Sequence, residues 1–418
     1  MWKQRLIYFQ QLSVHWTKEE SSFSNFNQQR SRYGTYSTQW DYVQDRFGEK
    51  DLLPFSISDT DFMLPDGTVA VLNKAVTRGF FGYTRWNHLD YKQSISHWFQ
   101  QEFDCWFDPE WCVYSPSVIY SLSVCIQLLS QKNDKIITLT PCYDAFFNCI
   151  DGNERELITF SLTNVNEQFT IDFAALEKVF ATEKPTIFLL CNPHNPTGRV
   201  FTQGELTRLI SLCNQYQIAI ISDEIHMDVR RPGKKHLPIL SFIDQLEIPV
   251  VLLSSASKTF NSPGLGGSYG IFFEAALREE FLRVLKGRDG LSSIPYPALL
   301  ATMDCYNNQK KWVEELNQTI DANFLELKRI LISDSRIQFE IPEATYLGWI
   351  NIEQLPYTME ELQTVLVKQE KVAVMKGETY GPEGERYLRF NLGAPKEKII
   401  DGAVRLMRAI QSLDQKFS

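Results

Sequence analysis

TIFLLCNPHNPTGRVFTQGEL, residues 186–206, sets out a strand, a turn and a helix in 21 positions. The run TIFLLC is short and apolar, and Asn192-Pro193 ends it, as expected of a buried strand that stops at a turn. Thr202 and Glu205 in TQGE then form a capping box, and Leu206, Leu209, Ile210 and Cys213 recur on one face of the helix that follows. Working outward, the same rhythm repeats. KIITLTP (135–141), ELITFSL (156–162), QIAIISDE (217–224) and VVLLSSAS (250–257) are further short apolar runs separated by helical patterns. Such alternation predicts βαβ units on a mostly parallel sheet covered on both faces, an α/β fold. Ligands of such sheets bind beyond the carboxyl ends of the strands.

After residue 258 the pattern changes to long amphipathic stretches, such as KKWVEELNQTIDANFLELKRIL (310–331), followed by short strands and a final helix over 397–413. A chain of 418 residues divides into more than one domain. Residues 1–32, rich in Gln, Ser and Asn, read as an N-terminal arm; 61–290 form the larger domain, and 33–60 with 291–418 a smaller α+β domain.

With 44% hydrophobic and 22% charged residues, the composition is that of a globular protein. A net charge of −9 argues against nucleic acid or an anionic membrane as the main partner, because both demand concentrated positive charge. No run approaches the ~18 apolar residues of a spanning helix. The opening MWKQRLIYFQQLSVHW has neither a long apolar core nor a small-residue cleavage site. Eight cysteines show no CxxC pair and no metal-type spacing with histidine, so free buried thiols and a cytoplasmic location are expected.

Four features stand at strand ends: YDAFF after Pro141-Cys142, NPHNPTG at 192–198, SDEIH at 222–226 and SSASKTF at 254–260. Each alone is weak. A strand-end Asp is most often a helix cap, a lone Lys a solvated charge, a Tyr in an apolar turn a packing residue. Together, with Asn195 28 residues before Asp223 and Asp223 35 before Lys258, they describe one site.

That order and spacing resemble the class I/II aminotransferase-type enzymes that use pyridoxal phosphate (PLP), the fold-type I group. The resemblance is closer to one branch, the MalY/PatB-type cystathionine β-lyases or C–S lyases. It is carried by GTYSTQWDYVQDRFG (34–48), LPFSISDTDF (53–62), FGYTRW (81–86), PSVIYSLS (116–123), PCYDAFF (141–147), LKGRDGLSS (285–293) and YLRFNLGAP (387–395), and covers about residues 33–412.

The resemblance implies that Lys258 carries PLP as a Schiff base and shuttles the Cα proton. It implies that Asp223 holds the ring nitrogen protonated, that Asn195 bonds the phenolic oxygen and that Tyr143 stacks on the ring. A carboxylate suits the first of these tasks because opposite charge keeps a pyridinium charged. His226 stands where many aminotransferases have a tyrosine; its contact is open, and an ordinary packed histidine is the plain alternative. Phosphate would be held by Ser117, Val118 and Ile119 at a helix start, with Ser255 and Ser257. Many relatives place an arginine eight residues after the lysine, whereas this chain has Gly266. Arg389 would grip a substrate α-carboxylate through its planar fork. Tyr83 would reach the phosphate in the neighbouring subunit's site, making the protein at least a homodimer with shared sites; Ser292 and Ser293 are weaker candidates for that site.

The expected substrate is a small amino-acid thioether, cleaved by α,β-elimination. Transamination on the same scaffold remains open, as does a second role in repressing a transcriptional activator, known in the MalY type.

Overall fold

The computed structural model describes residues 26–417. Seven strands build its main sheet: β1 (Cys112–Ser115), β2 (Lys135–Thr140), β3 (Glu156–Ser161), β4 (Ile187–Cys191), β5 (Ala219–Asp223), β6 (Val250–Ser254) and β7 (Ser268–Phe272). Their order across the sheet is β1-β7-β6-β5-β4-β2-β3. The run from β6 to β3 is parallel, and β7 lies antiparallel to both of its neighbours. The five expected strands are all present. β1 and β7, the antiparallel flank, fall outside the alternating rhythm from which the others were read.

The apolar runs are continuous because both sheet faces are covered. Every residue of β4, β5 and β6 is buried. Helix Gln203–Tyr216 carries the Thr202–Glu205 capping box and buries Leu206, Leu209, Ile210 and Cys213. All eight cysteines are buried and free.

A second sheet contains β8 (Leu347–Asn351), β9 (Met375–Lys376) and β10 (Tyr387–Asn391), ordered β8-β10-β9. Helices Lys310–Leu331 and Lys396–Phe417 pack against each other nearby. The early segment joins this part of the molecule: Leu53–Pro54 pairs with Val372–Ala373, and Phe55 stacks on Phe390 at 4.1 Å. Helix Tyr296–Asn308, by contrast, packs against Asp66–Arg78 and Leu89–Phe103. Of the expected arm, residues 1–25 lie outside the described residues. Its end is anchored: Phe26 meets Phe62 and Trp312 edge-on or tilted, and Arg32 pairs with Asp59 at 2.8 Å. No helix among the described residues is long and apolar enough to cross a membrane.

Candidate active site

Sheet order explains how distant motifs meet. Strands β6, β5, β4 and β2 are consecutive in space and share one direction. With strands ~4.8 Å apart, the segments leaving their carboxyl ends sit side by side. Lys258 follows β6, Asp223 ends β5, Asn195 follows β4 and Tyr143 follows β2. All four line one cavity of about 170 Å³, together with His226, Ser117, Val118, Ile119, Ser255 and Ser257.

Burial sets the electrostatics. Desolvation raises Asp223 to about 7, although the Ile225 N–H and the Lys258 charge pull it back toward the ionised form. Desolvation lowers Lys258 to about 8, opposed by the charge of Asp59. The Lys258 ammonium donates to the Ser58 carbonyl at 2.6 Å. His226 is held down near 3, chiefly by burial and then by the Lys258 and Arg389 charges, so it stays neutral. Its Nδ1 is buried without a partner, and its ring meets Tyr346 edge-on at 5.9 Å.

Arg389 is buried on β10. Its Nη1 donates to Asn195 Oδ1 at 3.1 Å and its Nη2 to the Ser56 carbonyl at 2.8 Å, while Nε has no partner. Because Asn195 Oδ1 is already engaged, its amide N–H groups face the remaining task of donating. The NPHNPTG loop is shaped by close approach at its last residue: Gly198 has φ +66°, and a Cβ there would lie 2.5 Å from Pro342 Cβ and 2.7 Å from the Ala344 carbonyl. Tyr83 is not among the cavity walls of its own chain and is fully exposed.

At the other end of the cavity, helix Val118–Leu129 begins with Ser117 as its cap, the hydroxyl accepting from Tyr120 N. First-turn N–H groups of such a helix attract anions. Among the described residues, Lys258 is the sole cation lining this cavity. Gly266 has φ 75° and ψ −179°, a conformation essentially restricted to glycine. The arginine carried by many relatives therefore has no place in this backbone. The walls fit PLP on their own chemistry: an amine of lowered pKa, a buried carboxylate, an unpartnered neutral imidazole nitrogen, and hydroxyls with a helix start for the phosphate.

Residues near the lysine to which no role was assigned from sequence are Ser58, Asp59 and Tyr346. The Tyr346 hydroxyl donates to the same Ser58 carbonyl at 3.1 Å, and Asp59 Oδ1 is buried without a partner. LPFSISDTDF contained the signal, two carboxylates in an apolar segment, but nothing in it pointed to a lysine 200 positions away.

Residues 50–406 match the family model described as aminotransferase class I and II. Among curated proteins, the chain is 38% identical to Protein MalY of Escherichia coli, over 93% of this chain and 99% of MalY. It is 32% identical to cystathionine beta-lyase PatB of Bacillus subtilis, over 92% of this chain and all of PatB (100%). Among solved structures, the PLP-bound C–S lyase of Staphylococcus hominis superposes with a TM-score of 0.86 at 26% identity, covering 92% of this chain and 98% of that one. The fold is thus the fold-type I architecture expected from the motifs, and the chain belongs to the class I and II aminotransferase family.

Proposed function

We propose that this protein is a PLP-dependent C–S lyase, a cystathionine β-lyase that converts L-cystathionine, or a related cysteine thioether or cystine, to thiol, pyruvate and ammonia. The observation that carries the reading is the convergence of Lys258, Asp223, Asn195 and Tyr143 on one cavity, in a chain 32% identical to a cystathionine β-lyase. When bound, PLP supplies an electron sink that stabilises negative charge at the substrate Cα.

The chain's own residues do the rest. Arg389 orients the substrate by its α-carboxylate. Lys258, with its pKa lowered to about 8, is free amine in a useful fraction near neutral pH and takes the Cα proton. The Cβ–S bond then breaks with its electron pair leaving on sulfur, and the thiolate collects a proton. Water completes the balance: cystathionine and water give homocysteine, pyruvate and ammonia. Asp223 would hold a proton on the ring nitrogen, Asn195 would donate to the phenolic oxygen, and Tyr143 would cover the ring face. Ser117, Val118, Ile119, Ser255 and Ser257 would receive the phosphate. His226, being neutral, adds a contact without adding charge.

The protein acts as a homodimer with shared sites, Tyr83 serving the neighbouring subunit's phosphate. Support comes from the exposed apolar segment Phe80, Phe81 and Tyr83, which fits a subunit contact better than open solvent. Residues 61–290 make the larger body; 33–60 with 291–418 make the smaller domain, whose helix Tyr296–Asn308 is packed onto that body. The arm comprises residues 1–32. Eight free thiols agree with a reducing cytoplasm.

Incubation with cystathionine or cystine tests the assignment. Pyruvate and free thiol should form without any added keto acid. Turnover only in the presence of a keto-acid acceptor would replace the lyase reading with transamination.

A further inference from the structure

Lys258 is set against a short segment that the N-terminal arm also grips. Its ammonium donates to the Ser58 carbonyl at 2.6 Å, and the next residue, Asp59, exerts the largest charge effect on it. Arg32, brought in from the arm, holds the same segment. Its Nη2 pairs with Asp59 Oδ2 at 2.8 Å, while its Nη1 donates to the Thr60 carbonyl at 2.9 Å and to Asp61 Oδ1 at 3.3 Å. Among the described residues, Arg32 is the only cation paired with Asp59. The chemistry assigned to Lys258 makes no use of Arg32.

Local structure on both sides places this arginine. After it, the Asp41 carboxylate accepts from the Gly34, Thr35 and Ser37 N–H groups at 2.8, 3.1 and 2.9 Å, and the Thr35 hydroxyl donates to the Arg32 carbonyl at 2.6 Å. Before it, buried Phe26 sits against Phe62 and Trp312.

The backbone of the gripped segment is held without Arg32. Asn391 donates to the Ile57 and Asp59 carbonyls, both at 2.6 Å, Asn261 to the Thr60 carbonyl at 2.8 Å, and Tyr346 to the Ser58 carbonyl at 3.1 Å. Asp61 has partners of its own, Lys398 at 2.6 Å and the Trp40 indole N–H at 2.8 Å. What Arg32 alone supplies is a positive charge on Asp59. A carboxylate beside two cations favours each of them less than it would favour either by itself. We propose that Arg32 is a positioning residue for the lysine: it engages the Asp59 carboxylate from the arm and divides that charge between itself and Lys258, which makes the docked arm part of the active site. The inference rests on Lys258 being the reactive amine of the lyase reading.

The consequence has a sign. Without Arg32, Asp59 acts on Lys258 alone, the ammonium is favoured, and less free amine is present near neutral pH to take the Cα proton. The other charges acting on Lys258 are those of Arg389 and Asp223, and neutral His226 and the Tyr346 hydroxyl lie beside it. Around Arg32 and Asp59 stand Asp61 and Lys398, closed on each other. These groups are common to all the variants below.

The test is competitive labelling of the full-length, cofactor-free protein with trace acetic anhydride across a pH series, the Lys258 peptide being quantified by mass spectrometry against a free amino-acid standard. Arg32→Met should raise the midpoint from about 8 by roughly 0.5–1 on the pH scale, short of the full effect of a contacting charge because both partners are partly exposed. Arg32→Lys should restore most of the wild-type value. Asp59→Asn should lower the midpoint, and adding Arg32→Met to it should produce a much smaller rise than in wild type. Folding is checked by circular dichroism; if Arg32→Met does not fold, Arg32→Gln, which keeps an amide donor without the charge, carries the same prediction. In the PLP-loaded enzyme the acid limb of kcat against pH should move with the labelling midpoint. A midpoint that falls or stays put in Arg32→Met, an equal rise in the Asp59→Asn background, or an unmoved kcat limb overturns the proposal. Labelling needs no PLP, so a wild-type protein that cleaves no thioether would sink the lyase reading while the midpoints still decide whether Arg32 acts through Asp59.

Discussion

Asp223 offers the most quantitative check on the site. Its carboxyl is buried at the end of β5, and desolvation raises it from 3.8 to about 7 in the polypeptide by itself. A carboxyl whose proton is held more tightly when folded adds stability that is fully present below the unfolded value, and that stability is lost as pH rises through the folded value. The window here runs from about pH 4 to about pH 7, and at ~1.4 kcal/mol per pH decade it amounts to about 4 kcal/mol. Asp223→Asn removes the ionisation while keeping an oxygen for the Ile225 N–H, which lies 3.1 Å from Oδ1. The cofactor-free variant should therefore be more stable than cofactor-free wild type at pH 8, by up to about 4 kcal/mol. The two should converge near pH 4. His226 and His194, held near 3 by burial, impose the opposite slope below their unfolded values, but equally in both proteins; Lys258, which the Asp223 charge raises and which titrates near 8, differs between them, so the slope between pH 4 and pH 7 is the part that reports Asp223. Urea unfolding at a series of pH values measures it. With PLP bound the order should reverse, because a positive ring nitrogen against Asp223 favours its ionised form. A variant less stable than wild type at pH 8 without cofactor, or a difference independent of pH, would refute the argument.

Arg389→Ala should lower kcat/KM for cystathionine between about thirtyfold and a few thousandfold, the range for truncating a buried hydrogen-bonded charge partner. Arg389→Lys should recover little, since one ammonium cannot serve Asn195, Ser56 and a carboxylate together; near-normal steady-state kinetics of either variant would remove Arg389 from the site. Asp59→Asn should move the titration of Lys258 below about 8, because the Asp59 charge opposes the lowering by burial. The pH dependence of PLP reconstitution, followed by absorbance, reads this, and an unchanged midpoint would exclude Asp59. Co-refolding inactive Lys258→Ala with a Tyr83→Ala variant should restore activity that neither parent has if sites are shared across subunits, and no recovery would count against Tyr83 acting in trans.

The local patterns transferred well from sequence to structure. The Thr202–Glu205 capping box and the helix over 310–331 depend on neighbours within a few positions, and both formed as expected. The four strand-end motifs were legible for a related reason. Parallel strands covered on both faces announce themselves by unbroken apolar runs, so the residues ending those runs share one edge of the sheet once the strand order is right. β1 and β7 were missed because CVYS and SYGIF are short and mixed in polarity, and are buried only by the sheet they complete.

What sequence could not supply was the wiring between remote segments that sets the lysine's environment. Lys258 touches a carbonyl of the 53–62 segment, that carbonyl is also held by Tyr346 ahead of β8, and Asp59 beside it is paired with Arg32 from the end of the arm. None of these four segments has a periodicity or spacing that refers to the others. The 53–62 segment is held by Leu53–Pro54 pairing with Val372–Ala373, by Asn391 on the Ile57 and Asp59 carbonyls, by Asn261 on the Thr60 and Phe62 carbonyls and by Lys398 on Asp61, contacts that no local propensity specifies. The motif residues thus define what chemistry the cavity can host. The charge on its lysine is governed by burial first and then by Asp59, Arg389 and Asp223, so substitutions at Arg32 or Asp59 bear on the lysine without touching any residue of the four strand-end motifs.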